Sequence, residues 1–578
     1  GVEILSIVAA SMSFLWLSRT RSRSKDADEG VERLHREGAH PLIDVFICTY
    51  NEGRDVLLPT ITGALHLEYD NKRVWVLDDS RRDWLRSLCE ETGCGYITRE
   101  DNEHAKAGNI NNGLKHVAKL ARAPDYIAVL DADFVCESHF LERTLGLMHF
   151  DDKIAIVQTP QHFSDPDPIQ RNLHATSVWP DEQRYFFDIV MSSRDAWNAA
   201  FCCGTSSLIR FSALQEIGGV PTESVTEDYL LSLRLRELGL QTIYLNERLS
   251  VGRAPEGLKE YIGQRSRWCL GFVQIIRSSN GPFCTKCGIS WIDRLTLIDT
   301  FLFWSATHAF RLLSIIVPPL YLLLDIKPVH AGLYDAVDHV FPFLFVIILV
   351  NGWLTKWRVM PIMSDVSQIL SAHAILKSVA IGLVKPKGQT FKVTLKGGDR
   401  KHRFVQWPMM IVFLGYLTLT MFAVFWGFVI NNNSVLRDSA IIALIWCWYN
   451  AATLLLACFV CIEDPRQDVR VHVDGELNIL QGSQIARCSV IDVSLGGVRL
   501  AGECPFELHS HVGIALGKEE ITGQIARVTA EDFAVKFDHF TDKVKLLLLN
   551  SRSAPVGSLS HSLKPHLVAG AVIARAFR

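Results

Sequence analysis

Apolar positions along this chain fall into two kinds of run, and run length separates two environments. Short runs at 42–50 (LIDVFICTY), 73–77 (RVWVL) and 126–130 (YIAVL) read as buried strands, with a helical stretch from about Val56 to Leu67 after the first. Strands alternating with helices predict a parallel α/β sheet. Long runs at 302–325, 337–355, 405–430 and 438–462 reach the roughly 20 residues that a membrane-spanning helix needs. Residues 1–17 are apolar but slightly short for a span. With no basic segment before them, they are expected to be the tail of a transmembrane helix in a truncated or processed chain. Residues 361–384 mix Asp365, Ser367, Gln368 and His373 with apolar positions at helical spacing, which predicts an amphipathic interfacial helix. Residues 289–301 look similar. After Cys461 the pattern changes to short alternating runs (VRVHVDGELNIL, ARCSVIDVS, GVRLAG, HVGIAL, ITGQIARVTA, FAVKFD), which predicts a small antiparallel β-barrel.

Composition supports a membrane protein with soluble parts: 578 residues, 48% hydrophobic, with a mean hydropathy of +0.16. The formal net charge of -3 leaves no basic excess to neutralise phosphates, so nucleic acid is not an expected partner. Basic residues orient the spans. Arg19, Arg21, Arg23 and Lys25 follow the first run, Lys356 and Arg358 follow 337–355, and Lys385, Lys387, Lys392, Lys396, Arg400, Lys401 and Arg403 precede 405–430. The opposite connections carry only Lys327 and Arg437. The excess of Lys and Arg places 18–301, 356–404 and everything after 462 in the cytoplasm. Fourteen cysteines in a largely cytoplasmic chain are expected as reduced thiols. The domains expected are a partial transmembrane helix at 1–18, a cytoplasmic α/β domain at 38–285, a membrane region at 286–462, a β-barrel at 463–550 and a mobile tail at 551–578.

Acidic residues sit where open α/β sheets bind ligands, at the C-terminal ends of strands: Asp78-Asp79 closes the second run and Asp131-Ala132-Asp133 the third. Two hard carboxylates, Asp131 and Asp133, can hold Mg²⁺ or Mn²⁺ against the diphosphate of a nucleotide sugar. Asp228 in Thr-Glu-Asp can take the proton of an attacking sugar hydroxyl. Arg265 and Arg267 can stabilise a departing diphosphate, and Trp268 offers an aromatic face to a pyranose ring. Together these residues point to glycosyl transfer from a nucleoside diphosphate sugar.

The ordered set TYNE (49–52), DD (78–79), HAKAGN (104–109), DAD (131–133), QTP (158–160), CCGT (202–205), TED (226–228) and QRSRW (264–268) resembles the processive family 2 glycosyltransferases. Among them it is most similar to the bacterial cellulose synthases, over roughly 40–550. The resemblance implies a GT-A fold, UDP-glucose as donor, Mg²⁺ at Asp131 and Asp133, and Asp228 as general base. It also implies donor contacts from Thr49, Tyr50, Glu52, Asp79 and Lys106, and an acceptor end at Gln264, Arg265, Arg267 and Trp268. Two positions depart from the family pattern: Ser80 stands where Gly usually follows DD, and Gln161 interrupts the run after QTP.

Between 388 and 398, Phe391-Lys392-Val393-Thr394-Leu395-Lys396 lies between Gly388 and Gly397-Gly398, glycines that permit hinge motion. It resembles the FxVTxK gating loop of cellulose synthases, which implies contacts from Phe391, Thr394 and Lys396 to a bound nucleotide. Arg466 and Arg470 form RxxxR, and Asp492, Ser494 and Gly497 fall within DxSxxG at a turn. Paired arginines can clamp phosphates and stack on purines, while Asp and Ser can bond guanine edges. The combination resembles a PilZ domain, which binds cyclic di-GMP. The expectation is therefore an inverting synthase in the bacterial inner membrane that extends a β-1,4-glucan and threads it through its own spans under cyclic di-GMP control. Its implied partners are the growing glucan, membrane lipid and a periplasmic accessory subunit. A 1,3- or mixed-linkage synthase, and a non-catalytic cyclic di-GMP receptor on the same scaffold, are the alternatives.

Overall fold

Strand β1 (Ile43–Thr49) is buried along its whole length. Ile43, Val45 and Ile47 join one hydrophobic cluster and Phe46 and Cys48 another, as the two-residue period of a strand covered on both faces requires. The chain is seen in a computed structural model that describes residues 2–176, 178–180, 182–324, 326, 334, 336–389, 402–427, 438–465, 471–472, 476–482, 484–494, 496–516, 519–529, 531–538 and 565–576. The strands that follow are β2 (Lys72–Asp78), β3 (Gly95–Thr98), β4 (Tyr126–Asp131), β5 (Val135–Cys136), β6 (Ile154–Gln158), β7 (His162–Phe163), β8 (Ser207–Arg210), β9 (Gln241–Tyr244) and β10 (Ser250–Gly252). Seven of them form one sheet in the order β3-β2-β1-β4-β8-β6-β9, and β5, β10 and β7 form a smaller one.

The sheet differs from the parallel expectation at one strand. β8 runs antiparallel to both β4 and β6, while the β1/β2, β1/β4, β2/β3 and β6/β9 pairs are parallel. Register sets the site: Thr49 pairs with Asp78 and Cys48 with Asp131, so the acidic strand ends share one edge.

Among the described residues, five helices are long and apolar enough to cross a membrane: Trp291–Leu324, Val337–Leu354, Pro361–Val384, Trp407–Phe425 and Ala440–Val460. The first absorbs the stretch 289–301, which a capping box at Ser290 and Asp293 starts and the π-helical turn Phe303–Thr307 joins to His308–Leu324. Pro361–Val384, expected at the interface, has the length and apolarity to span as well. The N-terminal helix Val2–Leu17 is anchored to the α/β domain: Trp197 Nε1 donates to the Trp16 carbonyl at 3.0 Å, and the Arg194 guanidinium lies over the Trp16 ring.

In the C-terminal region β11 (Phe404–Val405) pairs with β12 (Ile462–Glu463). Seven antiparallel strands follow: β13 (Val471–His472), β14 (Glu476–Gln481), β15 (Gln484–Ser494), β16 (Gly497–Ala501), β17 (His511–Leu516), β18 (Glu519–Val528) and β19 (Asp532–Phe537). β15 pairs with β14 over its first half and with β16 over its second, around a core that includes Ile479, Leu500, Ile514, Ile525 and Phe533. The tail departs from the mobile extension expected of it. Residues 551–564 lie outside the described residues, but Pro565–Ala576 is a helix with Val568 buried against the membrane helices. Arg575 Nε donates to the Asn172 carbonyl at 3.1 Å, and Arg575 Nη2 lies 3.3 Å from Asp464.

Candidate glycosyl-transfer site

The two adjacent aspartates after β2 have separate tasks. Asp78, fully buried, accepts from Ser80 N (2.9 Å), Arg82 N (2.8 Å) and Tyr96 OH (2.8 Å), and it pairs with the Arg82 guanidinium. Asp79 is gripped by Arg99. Burial raises the Asp79 carboxyl, and Arg99 works against that rise. The loop after β1 is built around Glu52, whose carboxylate accepts from Thr49 Oγ1 at 2.7 Å and Tyr50 N at 2.8 Å. Arg82 completes it by donating to Thr49 Oγ1 (2.7 Å) and to the Glu52 carbonyl (2.5 Å). Glu52 therefore shapes the loop, while Tyr50 stands exposed at its rim. Ser80 has a use that Gly would lack, since its hydroxyl donates to Asn51 Oδ1 at 3.0 Å.

Arg82 and Arg99 stand outside the sequence motifs. Arg82 had a local signal, the i,i+4 spacing from Asp78. Arg99 had none, because its partners are Asp79 after β2 and the carbonyls of Glu103 and Ala105 around the start of the helix Ala105–Val117. A Cβ at Gly108 would stand 2.4 Å from Arg99 Nη1 and 2.1 Å from the Glu103 carbonyl oxygen, so this glycine in HAKAGN makes room for the arginine. Asn109 ties the same helix to β2 by donating to the Leu77 carbonyl at 2.8 Å.

From that helix Lys106 reaches the Asp131 carboxylate and donates to the Gly204 carbonyl at 2.5 Å. Burial lowers the Lys106 pKa, but Asp131, Cys48 and Glu227 outweigh burial and hold the ammonium charged. Asp131 N donates to Thr205 Oγ1 at 2.8 Å, which fastens β4 to CCGT. Gly204 is the meeting point. Its φ of 87° is in the left-handed region, and a Cβ would lie 2.9 Å from Asp228 Oδ2 and 3.7 Å from Lys106 Nζ. QTP supports the turn: Cys203 N donates to Gln158 Oε1 at 2.8 Å, and Gln161, the departure from the family run, donates to the Cys203 carbonyl at 2.7 Å.

Asp228 lies in the first turn of the helix Glu227–Glu237, where its Oδ1 accepts from Tyr229 N at 2.8 Å. Burial pushes its pKa up, and the charge of Lys106 holds part of that rise back. Burial also pushes Glu227 up to about 7, with Asp228 adding and Lys106 opposing. The two arginines of QRSRW part company on the helix Leu258–Ile276. Burial lowers the Arg267 pKa, and the charges of Glu227, Asp131 and Asp228 oppose that shift without reversing it. Arg265 is buried, 3.3 Å over the Tyr261 ring and 5.8 Å from the Trp268 ring. Gln264 Oε1 is a buried acceptor with no hydrogen bond among the described residues. Asp133 is buried beside Asp131 on the same turn. Two hard carboxylates fit Mg²⁺ or Mn²⁺ of the kind that leaves its remaining positions to substrate phosphates. No set of three His, Cys, Asp or Glu side chains that could cage a metal occurs among the described residues.

Phe391, Thr394, Lys396, Arg466 and Arg470 lie outside the described residues. Asp492 and Ser494 are placed by the backbone of β15. Gly497 opens β16 opposite Ser494, where a Cβ would stand 2.2 Å from the Val535 carbonyl oxygen.

Residues 44–218 match the family model for glycosyl transferase family 2, residues 215–367 the model for cellulose synthase and residues 464–551 the model for the PilZ domain. The chain thus carries a family 2 glycosyl transferase region, a cellulose synthase region and a PilZ region. It is 36% identical over 455 residues to the cellulose synthase catalytic subunit [UDP-forming] of Pseudomonas fluorescens (strain SBW25), covering 76% of this chain and 59% of that protein. It is 31% identical over 479 residues to the cellulose synthase 1 catalytic subunit [UDP-forming] of Komagataeibacter xylinus, covering 80% and 62%. The chain thus spans less than two thirds of the length of these relatives. A mannosyltransferase from Pyrobaculum calidifontis, solved in complex with GDP-Man and Mn2+, aligns with TM-score 0.43 and 14% identity over 66% of this chain and 99% of that one.

Proposed function

We propose that this chain polymerises glucose from UDP-glucose into a β-1,4-glucan and moves the product across the bacterial inner membrane, with its catalytic and PilZ regions in the cytoplasm. The observation that carries this reading is the convergence on Gly204 of Lys106, which is bound to Asp131, and Asp228. Donor and acceptor chemistry meet there. Thr49, Tyr50, Asp79 and Lys106 form the donor side, with Glu52 holding their loop in shape. Asp131 and Asp133 would hold Mg²⁺ or Mn²⁺, which when bound links the protein to the diphosphate and offsets charge on the leaving group. Asp228 takes the proton from the acceptor hydroxyl as its oxygen bonds to the anomeric carbon, the bond from that carbon to the diphosphate breaks, and UDP leaves with the electron pair. A single base with no covalent nucleophile inverts an α-linked donor to a β-linked product. Arg267 faces the charge on the departing UDP, and Gln264 and Trp268 meet the acceptor.

A path for the polymer is supported by polar side chains between the apolar helices. Arg311 pairs with Asp365 and donates to Gln368 Oε1 at 2.8 Å, and Tyr449 donates to Asp365. Ionisable groups within membrane-spanning helices mark substrate pathways. Phe391, Thr394 and Lys396 gate the nucleotide, and Arg466, Arg470, Asp492, Ser494 and Gly497 bind cyclic di-GMP. A periplasmic accessory subunit receives the product. Linkage-specific glucanases applied to the product of inverted membrane vesicles test the reading. Release of glucan fragments by a β-1,4-specific enzyme is expected, and resistance to it with sensitivity to a β-1,3-specific enzyme would transfer the assignment to the other linkage. Arg466→Ala is expected to abolish cyclic di-GMP binding, and full stimulation in that variant would remove the PilZ region from the role of switch.

A further inference from the structure

Positions 267, 271 and 274 share one face of the helix Leu258–Ile276. Arg267 on this face feels the carboxylates of the site. At Gly271 a Cβ would lie 2.6 Å from both Thr226 N and Thr226 Oγ1, so the loop that leads to Asp228 rests directly on the helix. The Ser224 hydroxyl donates to the Gly271 carbonyl at 2.9 Å. Gln274, 7% exposed, uses both ends of its amide. Val225 N donates to Gln274 Oε1 at 2.9 Å, and Gln274 Nε2 donates to the Pro386 carbonyl at 2.7 Å. Pro386 closely follows the helix Pro361–Val384, whose Gly382 packs so tightly that a Cβ there would stand 2.7 Å from Val273 Cγ1.

We propose that Gln274 is a positioning residue that registers the Asp228 loop against the end of the helix Pro361–Val384. A backbone N–H can only donate and a carbonyl can only accept, so the two partners dictate the amide's orientation. A carboxylate or a hydrocarbon of the same length satisfies at most one of them, and Asn is one methylene shorter. Through this amide the base and the membrane helices that carry the acceptor keep a fixed separation, which matters because near-attack geometry is lost over small displacements. The inference rests on the proposed polymerase reading and adds to it a residue that touches no substrate.

Two variants of the full chain in membrane vesicles test it. Gln274→Glu keeps the acceptor for Val225 N and loses the donor for Pro386, whereas Gln274→Leu loses both. Glucose incorporation gives kcat and KM, calorimetry gives UDP affinity, and thermal unfolding reports the fold. Both variants are expected to lose kcat by roughly 10- to 100-fold, with KM, UDP affinity and the unfolding temperature of Gln274→Glu close to wild type. Wild-type kcat in Gln274→Glu overturns the inference. So does a loss of kcat that only follows a loss of thermal stability, or one that comes with a shifted acid limb of the pH profile, which would trace it to the new charge near Asp228. If the unaltered chain incorporates no glucose while still binding UDP, the polymerase reading itself fails, and this inference with it.

Discussion

Arg99 holds Asp79 with two parallel hydrogen bonds, from Nε to Oδ1 at 2.6 Å and from Nη2 to Oδ2 at 2.8 Å. The same guanidinium donates to the carbonyls of Glu103 (2.6 Å) and Ala105 (2.8 Å), which join the strand-end carboxylate to the start of the helix bearing Lys106. Arg99→Ala would leave Asp79 a buried carboxylate without its fork. A stability loss of roughly 3–5 kcal/mol is expected, as for other broken buried pairs, together with weaker UDP binding. Denaturant unfolding and UDP calorimetry check both. Arg99→Lys should recover only part of the loss, because an ammonium cannot reproduce the planar fork.

Asp228→Asn is expected to lower glucose incorporation by roughly 10²–10⁴-fold, the usual contribution of a positioned base, with UDP affinity little changed. Parallel measurement of radiolabelled incorporation and UDP binding decides it. Activity within about tenfold of wild type would remove Asp228 from that role.

Asp131→Asn and Asp133→Ala should weaken UDP binding in Mg²⁺ and make it nearly indifferent to the metal, since the metal would bind donor and protein together. Calorimetric titration with and without Mg²⁺ reads this directly. Equal wild-type affinity in the two conditions would sink the metal-bridged donor. Asp131→Asn also removes the ionic partner of Lys106, so its metal-free affinity for UDP should rise relative to that of Asp133→Ala.

Glu227 makes stability depend on pH. Burial raises its pKa from 4.5 to about 7, so the folded chain keeps a proton that the unfolded chain has released between these values. The stabilisation from that proton is complete below about 4.5 and is lost as pH rises through about 7. Glu227→Gln cannot release a proton and should flatten this decline. Unfolding temperatures at pH 5 and pH 7.5 compare the two, and parallel declines in both proteins would show that another group sets the dependence.

The apolar periods of 42–50, 73–77 and 126–130 located β1, β2 and β4, and the acidic residues at their ends could be placed at one edge, because strand period and strand termination are written in neighbouring residues. Apolar run length likewise located the candidate spans other than Pro361–Val384, whose interspersed polar positions had suggested an interfacial helix, and alternation located the C-terminal strands. The order of motifs was enough to recognise the family 2 glycosyl transferase region at residues 44–218. Tertiary structure alone decided the rest. The antiparallel insertion of β8 follows from which strands it pairs with, and its sequence resembles that of any buried strand. The division of labour between Asp78 and Asp79 depends on Arg99, which meets Asp79 only after folding, whereas Arg265 finds Tyr261 one turn away on its own helix. The Pro565–Ala576 helix gains its place from Arg575 reaching Asn172, 403 positions away in sequence. Gln274 is one more polar residue on an amphipathic helix until folding brings Val225 and Pro386 to its two ends. Local patterning encodes which face of an element is buried, whereas the pairing of specific hydrogen-bonding groups is fixed by contacts between residues distant in sequence, and no local pattern records those.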